Sequence, residues 1–84
     1  MDKLQLVKLM VKINDDRDEI AFSNLFDFFA PKLKAYFVQN GLSSGISEEL
    51  TQDVMSTVWL KSDTYDNAKS ALSTWIYTIA RNKK

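Results

Sequence analysis

The sequence contains no cysteine and no histidine among its 84 residues. Without cysteine the chain has no disulfide framework and no thiolate that could act as a nucleophile or a metal ligand. Without histidine it lacks the usual general base at neutral pH and the commonest metal ligand. The EF-hand, P-loop and dinucleotide-binding motifs are missing as well. We therefore expect that the chain is not an enzyme and that it binds neither a cofactor nor a metal.

Glycine and proline are also scarce, with two glycines and one proline. Few positions suit tight turns, which favours a mostly helical fold. The chain has 84 residues, 45% of them hydrophobic, which is enough for the modest core of one domain. No stretch approaches the roughly 20 apolar residues of a membrane span, and the N-terminus lacks the features of a signal peptide. We expect a soluble, cytoplasmic protein without membrane contact.

Acidic residues are absent from the last part of the chain. Residues 1–66 carry 7 basic and 11 acidic side chains, whereas residues 67–84 carry 4 basic and no acidic ones. The net charge of zero therefore hides a basic end that would attract an anionic partner. Aromatic, amide and hydroxyl groups accompany these cations, a mixture that suits stacking on bases and contact with phosphates. A simpler interpretation is that the cations complement the dipole of a C-terminal helix.

The spacing of apolar residues predicts an all-α fold, a compact bundle of about four helices. A polar loop of about eight residues, Ser62 to Lys69, precedes the last helix. Ser47 and Ser70 are suitable N-caps for the third and fourth helices, and Gly41 can adopt a left-handed conformation after the second. The helices are predicted over residues 2–13, 18–40, 47–61 and from about 70 onward.

The second helix contains the only proline, Pro31. Proline lacks an amide hydrogen, and its ring crowds the carbonyl of Asp27, yet the apolar stripe keeps its phase on both sides. Either the helix continues with a kink at Pro31, or it breaks and Pro31 opens a new helix. The predicted core stripes contain, in chain order, Leu4, Val7, Met10 or Val11, and Ile13; Phe22, Leu25, Phe26, Phe29, Leu33, Tyr36 and Phe37; Leu50, Val54, Met55, Val58 and Trp59; and Leu72, Trp75, Ile76, Ile79 and Ala80.

A polar and acidic row lies on the third helix. Glu49, Gln52, Asp53 and Ser56 recur at the spacing that places side chains on one helical face. The pattern alone has two interpretations. The row is either the solvated face of an amphipathic helix or a docking face for a basic helix of a partner.

Two residues near the basic end are candidates for contact with a nucleic acid. Tyr65 stands in a polar loop between Thr64 and Asp66, where its ring either stacks on a ligand or covers the edge of the core. Asn82 carries donors and an acceptor that can read a base edge, although an asparagine there equally suits a helix C-cap.

Two runs of the sequence resemble bacterial sigma factors of the extracytoplasmic-function (ECF) group. Residues 48–59, EELTQDVMSTVW, resemble the region 2.2 pattern DLxQExFxxxW, with Glu49 at its Asp and Asp53 at its Glu. Residues 73–82, STWIYTIARN, resemble the pattern TWLxxIAxN of regions 2.3 and 2.4. Together with matches in the second helix, the resemblance covers nearly the whole chain. It identifies residues 1–84 as one sigma region 2 domain, regions 2.1 to 2.4.

The resemblance implies a role in bacterial transcription initiation. In this family the region 2.2 helix docks on the clamp helices of the RNA polymerase β′ subunit. Carried over to this chain, the polymerase-binding residues are the members of the polar row. Glu49 replaces a shorter Asp, which is expected to loosen one close contact. The residues expected to bind polymerase are Glu49, Gln52, Asp53 and Ser56.

The resemblance also implies that the domain melts the promoter −10 element and captures bases of the non-template strand. Tyr65 and Asn82 would border the pocket for a flipped base, which an aromatic wall and an amide can stabilise against the cost of unstacking. Thr78 stands where relatives often carry a cation, which lowers the expected phosphate affinity. The other residues expected to bind DNA are Asn67, Lys69, Ser73, Thr74, Tyr77 and Arg81.

Three further expectations follow from the family. Its members are often held inactive by an anti-sigma factor, which is therefore an expected partner. The family normally continues into a helix-turn-helix domain, region 4, that reads the −35 element, whereas this chain stops at Lys84. Region 4 is thus expected to be absent and duplex promoters to bind poorly.

Two alternative functions remain open at this stage. One is a helical protein-interaction domain that does not bind DNA, its basic end serving only solubility. The other is a double-strand reader of helix-turn-helix type. The turn before the last helix is too long for that motif and contains no glycine, which disfavours the second alternative.

Overall fold

Four α-helices make up the fold of the protein, here a computed structural model that describes residues 1–83. Lys84, part of the predicted basic end, lies outside the described residues. α2 packs against both α1 and α3, and α4 packs mainly against α3. Residues 1–83 form no strand, so the predicted all-α fold is confirmed. The elements are α1 (Lys3–Asp16), α2 (Glu19–Gln39), α3 (Ser44–Leu60), a 3-10 turn (Ser62–Thr64) and α4 (Leu72–Lys83).

α1 begins with a capping box. The Asp2 carboxylate accepts the amide hydrogen of Gln5 at 2.8 Å, and the Gln5 side chain accepts that of Asp2 at 3.0 Å. These two bonds satisfy amides that the first turn of a helix leaves without a partner. The prediction that the helix ends at residue 13 was wrong, because residues 14–16 form an exposed polar last turn that stops at Arg17.

The buried face of α1 is narrower than predicted. Leu6, Met10 and Ile13, spaced four and three residues apart, face α2 and are buried. Leu4 was predicted in the core, but 62% of its surface is exposed. Of the two alternatives Met10 and Val11, Met10 is the buried one, whereas Val11 is 52% exposed. The reason is geometric: a helix at the edge of a bundle buries only the stripe that faces its neighbour.

α2 is continuous through Pro31, which excludes a break at which proline opens a new helix. Asp18 caps the helix, because its carboxylate accepts the amide hydrogens of Ile20 and Ala21 at 2.9 and 3.1 Å. Pro31 itself lies on the exposed side, so its ring does not disturb the packed face. The buried residues of that face are Ala21, Leu25, Phe29, Leu33 and Phe37.

The turn between α2 and α3 corrects one prediction. Gly41 has a φ of 90°, the left-handed conformation expected of it. α3 then begins at Ser44 with Ser43 as its N-cap, because the Ser43 hydroxyl accepts the amide hydrogen of Ile46 at 3.2 Å. The prediction of Ser47 as the N-cap was wrong: Ser47 lies inside the helix and is completely buried.

α4 begins at Leu72, two residues after the predicted cap Ser70. Leu72, Ile76 and Ala80 are buried at four-residue spacing, while Trp75 and Ile79 are half-buried against the core. This stripe leaves the opposite side of α4 on the surface. None of the helices in residues 1–83 is long and apolar enough to cross a membrane.

Candidate functional site

The loop between α3 and α4 is closed by its own hydrogen bonds. The Tyr65 hydroxyl donates to the carbonyl oxygen of Ser70 at 2.9 Å. The Asp66 carboxylate accepts the amide hydrogen of Ala68 at 2.9 Å, which forms a tight turn between those two residues. The ring of Tyr65 also packs on Trp75, with 5.2 Å between ring centroids. The predicted stacking residue is therefore held in place by α4.

The environment of Tyr65 keeps its hydroxyl protonated. Burial raises the pKa of Tyr65, and the nearby negative charge of Asp66 raises it further. Both effects disfavour the phenolate. At neutral pH the hydroxyl is therefore a donor to Ser70, and the remaining surface of the ring is available to a ligand.

A surface cavity of about 510 Å³ lies between this loop and α1. From the loop, Tyr65, Asn67 and Lys69 contribute to its lining. Of these three, only Tyr65 was predicted to border a pocket, with Asn67 and Lys69 as further DNA contacts, and the other wall, which α1 supplies, was not predicted. Its apolar residues were assigned to the core stripe of α1 instead. The lining residues from α1 are Val7, Met10, Val11, Asn14 and Asp15.

The charges around this cavity favour an uncharged ligand group. Asp15, Asp63 and Asp66 line it together with the single cation Lys69. Three carboxylates would repel a phosphate at short range, whereas the polar edge and flat faces of a base carry no net charge. The cavity is therefore better suited to a nucleic-acid base than to the phosphates of a nucleic-acid backbone.

A second, smaller cavity of about 280 Å³ adjoins the first. Tyr65 and Asn67 line both cavities, and Ser73, in the first turn of α4, lines the smaller one. The structure thus brings together four of the eight predicted DNA-binding residues around one loop. These are Tyr65, Asn67, Lys69 and Ser73.

The other four predicted DNA-binding residues lie further along α4. Thr74, Arg81 and Asn82 are exposed, and Tyr77 is half-buried with its ring 5.5 Å from that of Tyr36. Burial, and to a lesser degree Tyr36, raises the pKa of Tyr77. These four residues form a strip on the surface of α4 rather than part of the loop.

Asn82 is not brought to the Tyr65 loop. It lies seven residues beyond Trp75, which is about 10 Å along the helix axis. It lines neither of the two cavities that Tyr65 borders. The sequence placed both residues at one pocket, but a helix that runs away from the loop separates them.

The predicted polar row occupies the outer side of α3. Glu49, Gln52, Asp53 and Ser56 are all exposed. Two largely apolar hollows lie between the row and α2: one of about 410 Å³ that Gln52 borders, and one of about 550 Å³ that Ser56 borders. The row is thus a polar strip with apolar surface along the side that faces α2.

The neighbouring Glu48 is held by α2. Its carboxylate lies 2.7 Å from the Lys34 ammonium group. The hydrogen bond from Lys34, together with that positive charge, lowers the pKa of Glu48. Both side chains are substantially exposed, so the pair contributes little to stability. Its consequence is local, because it directs Glu48 toward α2 and not along the polar row.

Sequence reasoning missed Arg17 altogether. Its guanidinium lies over the ring of Trp59 at 4.0 Å from the centroid and donates a hydrogen bond of 3.1 Å to the Ser62 hydroxyl. No pattern in the sequence indicated this contact, because the partners are more than forty residues apart in the chain.

Within residues 1–83, no cluster of three or more acidic side chains could hold a metal ion.

The comparison with protein families agrees with this architecture. The family model of sigma-70 region 2 matches residues 25–84, which include most of α2 and all of α3, the loop and α4. The chain therefore belongs to the sigma-70 region 2 family, in its extracytoplasmic-function group.

Two relatives illustrate the similarity. The ECF RNA polymerase sigma factor RpoE of Cereibacter sphaeroides is 46% identical over 99% of this chain and 46% of its own length. The ECF RNA polymerase sigma factor SigK of Mycobacterium tuberculosis is 27% identical over 79% of this chain and 35% of its own length. The chain thus spans less than half the length of these relatives.

A solved structure has the same fold. The crystal structure of Rhodobacter sphaeroides SigE in complex with the anti-sigma ChrR superposes with a TM-score of 0.92 at 46% sequence identity. The match covers 98% of this chain and 47% of the SigE chain. The four-helix arrangement described above is therefore that of region 2 in a sigma factor.

Proposed function

We propose that this domain acts in bacterial transcription initiation, by binding the RNA polymerase core and recognising the promoter −10 element as single-stranded DNA. In this role residues 1–84 are one region 2 domain and catalyse no reaction themselves. The observation that carries the proposal is the loop cavity, where an aromatic ring, an amide and carboxylates favour a neutral base over a phosphate.

The polar row on α3 is the proposed docking surface for the β′ clamp helices. Its exposed carboxylates, Glu49 and Asp53, suit a basic helix, and Gln52 and Ser56 add hydrogen-bonding groups to the same row. The flanking apolar hollows supply surface that an interface can bury. Complementary charge mainly sets specificity and association rate, while burial of apolar surface supplies affinity.

The loop and α4 are the proposed DNA surface. In this proposal a flipped base enters between α1 and the loop and stacks on Tyr65, with Asn67 at its edge. The strand then follows the exposed side of α4, where Thr74 offers a hydroxyl and Arg81 a cation. Tyr77 and Asn82 lie along the same strip. Melting of the −10 element follows if captured bases are stabilised relative to the duplex.

An anti-sigma factor is a further proposed partner. The support is the similarity to SigE, whose structure was solved in complex with the anti-sigma ChrR. The fold matches over almost the whole chain, and the identity is 46%. A regulator that covers region 2 would block either the polymerase surface or the DNA surface.

A titration with labelled DNA tests the proposed function. The domain should bind a pool of short single strands more tightly than the same sequences as duplex. Lys69 and Arg81, with or without Lys83, neutralise two or three phosphates, so log K should fall with log[salt] with a slope between about −1.4 and −2.1. Absence of binding at low salt, or a preference for duplex, would contradict base capture.

A further inference from the structure

Arg17 occupies an unusual position at the corner between α1 and α2. Its φ of 50° is the only positive φ of a non-glycine residue among residues 1–83. This left-handed conformation is uncommon for a long side chain and typical of asparagine or glycine at a helix end. The backbone of Arg17 closes α1 there, donating its amide hydrogen to the carbonyl of Ile13 at 3.1 Å.

The side chain of Arg17 reaches across to the end of α3. The guanidinium stacks over Trp59 and donates to the Ser62 hydroxyl at 3.1 Å. Ser62 is 3% exposed, and its hydroxyl lies 3.4 Å from the side-chain carbonyl oxygen of Asn14. The corner between α1 and α2 therefore holds one buried hydroxyl from two directions, through Arg17 and Asn14.

Ser62 begins the segment that carries Tyr65. It is the first residue of the 3-10 turn, and its carbonyl oxygen accepts the amide hydrogen of Tyr65 at 3.3 Å. Only two residues separate Ser62 from Tyr65, so a shift of Ser62 shifts the ring. The other end of the loop is fixed independently by the bond from Tyr65 to Ser70.

We propose that Arg17 is a positioning residue for base capture. Arg17 holds Ser62, and Ser62 in turn fixes the positions of Tyr65 and Asn67 at the cavity. Arg17 itself does not contact the DNA strand. The inference rests on the proposed function of the loop. Arg17, at the corner between α1 and α2, thereby takes part in sequence recognition, a part that the exposed residues of α4 do not supply.

Two substitutions remove the contact in different ways. Arg17→Asn removes the guanidinium while keeping a residue that tolerates the left-handed backbone. Arg17→Lys keeps the charge but not the planar group that stacks on an indole. Lys32→Gln is the matched control, because Lys32 is another cation over an aromatic ring, 4.5 Å from the centroid of Phe28, but it does not border the loop cavities.

Amide hydrogen exchange provides the first measurement, independent of DNA. In Arg17→Asn the amides of Thr64 and Tyr65 should exchange at least about thirtyfold faster, the effect of losing one cation–π contact and one charged hydrogen bond. Amides in the middle of α2 should exchange as in the unsubstituted chain. Unchanged exchange at Thr64 and Tyr65 would overturn the inference whatever the domain binds.

Binding to the pool of single strands provides the second measurement. We expect Arg17→Asn and Arg17→Lys to reduce the spread of affinities between sequences, while Lys32→Gln leaves that spread unchanged. Faster loop exchange with undiminished discrimination would overturn the positioning role. If the unsubstituted domain shows no sequence preference, the proposed function fails. Hydrogen exchange at Thr64 and Tyr65 distinguishes that outcome from failure of the Arg17 contact, because it is measured without DNA.

Discussion

The Tyr65 hydroxyl donates a hydrogen bond of 2.9 Å to the carbonyl oxygen of Ser70. This bond, together with the packing of the ring on Trp75, means that Tyr65 closes the loop and also borders the cavities. The two interpretations of a loop tyrosine, ligand contact and cover for the core edge, are therefore compatible in this protein. Substitutions at this position will affect both stability and binding unless they are chosen to separate them.

Tyr65→Ala and Tyr65→Phe separate the two roles of the side chain. Alanine removes the stacking surface and should weaken single-strand binding by about 1–3 kcal/mol. Phenylalanine keeps the ring and removes only the bond to Ser70, so the free energy of unfolding should fall by about 0.5–1.5 kcal/mol, and single-strand binding should weaken less than in Tyr65→Ala. Urea denaturation and oligonucleotide titration measure the two effects. Full affinity in Tyr65→Ala would show that the ring only packs.

The combined change Gln52→Ala and Asp53→Ala tests the polar row. Both side chains are exposed, so the free energy of unfolding should change by less than about 0.5 kcal/mol. Binding to a fragment carrying the β′ clamp helices should weaken, because a carboxylate and an amide are lost, while single-strand binding stays unchanged. A pull-down with the clamp fragment measures this.

Asp16→Ala is the control for the change of charge. Asp16 is an exposed acid at the end of α1 and does not line the hollows beside the row on α3. It should leave clamp binding unaffected. If the row substitutions leave the pull-down as strong as the control does, the row is no more than a solvated helical face.

Ser47→Ala should leave stability unchanged or raise it. The Ser47 hydroxyl is buried and has no hydrogen-bond partner among residues 1–83. Folding removes water from this hydroxyl without replacing the lost hydrogen bonds, and alanine eliminates that cost. We expect the free energy of unfolding to rise by up to about 1 kcal/mol. Urea denaturation measures it.

Thr51→Val is the matched comparison for Ser47. Thr51 is also buried, but its hydroxyl donates to the carbonyl oxygen of Ser47 at 2.7 Å. Removing that hydroxyl should lower the free energy of unfolding by about 0.5–1.5 kcal/mol. Equal losses in the two variants would show that Ser47 finds a partner in solution.

Alkaline pH should destabilise the domain through its tyrosines. The pKa values of Tyr65 and Tyr77 are both raised above the usual 10.0 of a phenol. The unfolded chain therefore loses its protons first, and the free energy of unfolding falls as pH rises from the usual pKa toward the raised one. Below about pH 9 both states keep the phenols neutral and this dependence vanishes.

Phenylalanine variants isolate that contribution. Each variant lacks one of the two phenols and is otherwise identical to the unsubstituted domain. Urea denaturation of the unsubstituted domain, Tyr65→Phe and Tyr77→Phe between about pH 8 and 11 should show a shallower decline in each variant. An identical decline in all three proteins would refute the role of the two half-buried phenols.

The helices could be predicted because their packed faces repeat regularly in the sequence. The stripe of α2 survives Pro31 because proline at an exposed position removes one hydrogen bond without displacing the packed residues. The ends were less predictable. Ser43 and Ser47 both suit an N-cap by residue type, and the structure shows that Ser43, which follows the turn at Gly41, caps α3.

The site was predictable only where it is local in the chain. Tyr65, Asn67 and Lys69 share one loop, so their lining of one cavity follows from their closeness in the chain, although of the three only Tyr65 was predicted to border a pocket. Asn82 was grouped with Tyr65 by family resemblance, but the straight course of α4 separates them. Arg17 could not be found, because its contact with Ser62 joins residues that only the tertiary packing brings together.

The tight turn at Asp66 and the bond from Tyr65 to Ser70 are both present in the unbound protein. Ordering a residue costs about 1–2 kcal/mol in conformational entropy, and for this loop that cost falls on folding. In the proposed function, an incoming strand would meet a loop whose turn and hydrogen bonds are already formed, so the loop itself would add little ordering cost. Affinity should then depend on the cost of unstacking a base: strands with strongly stacked bases should bind more weakly than those already unstacked.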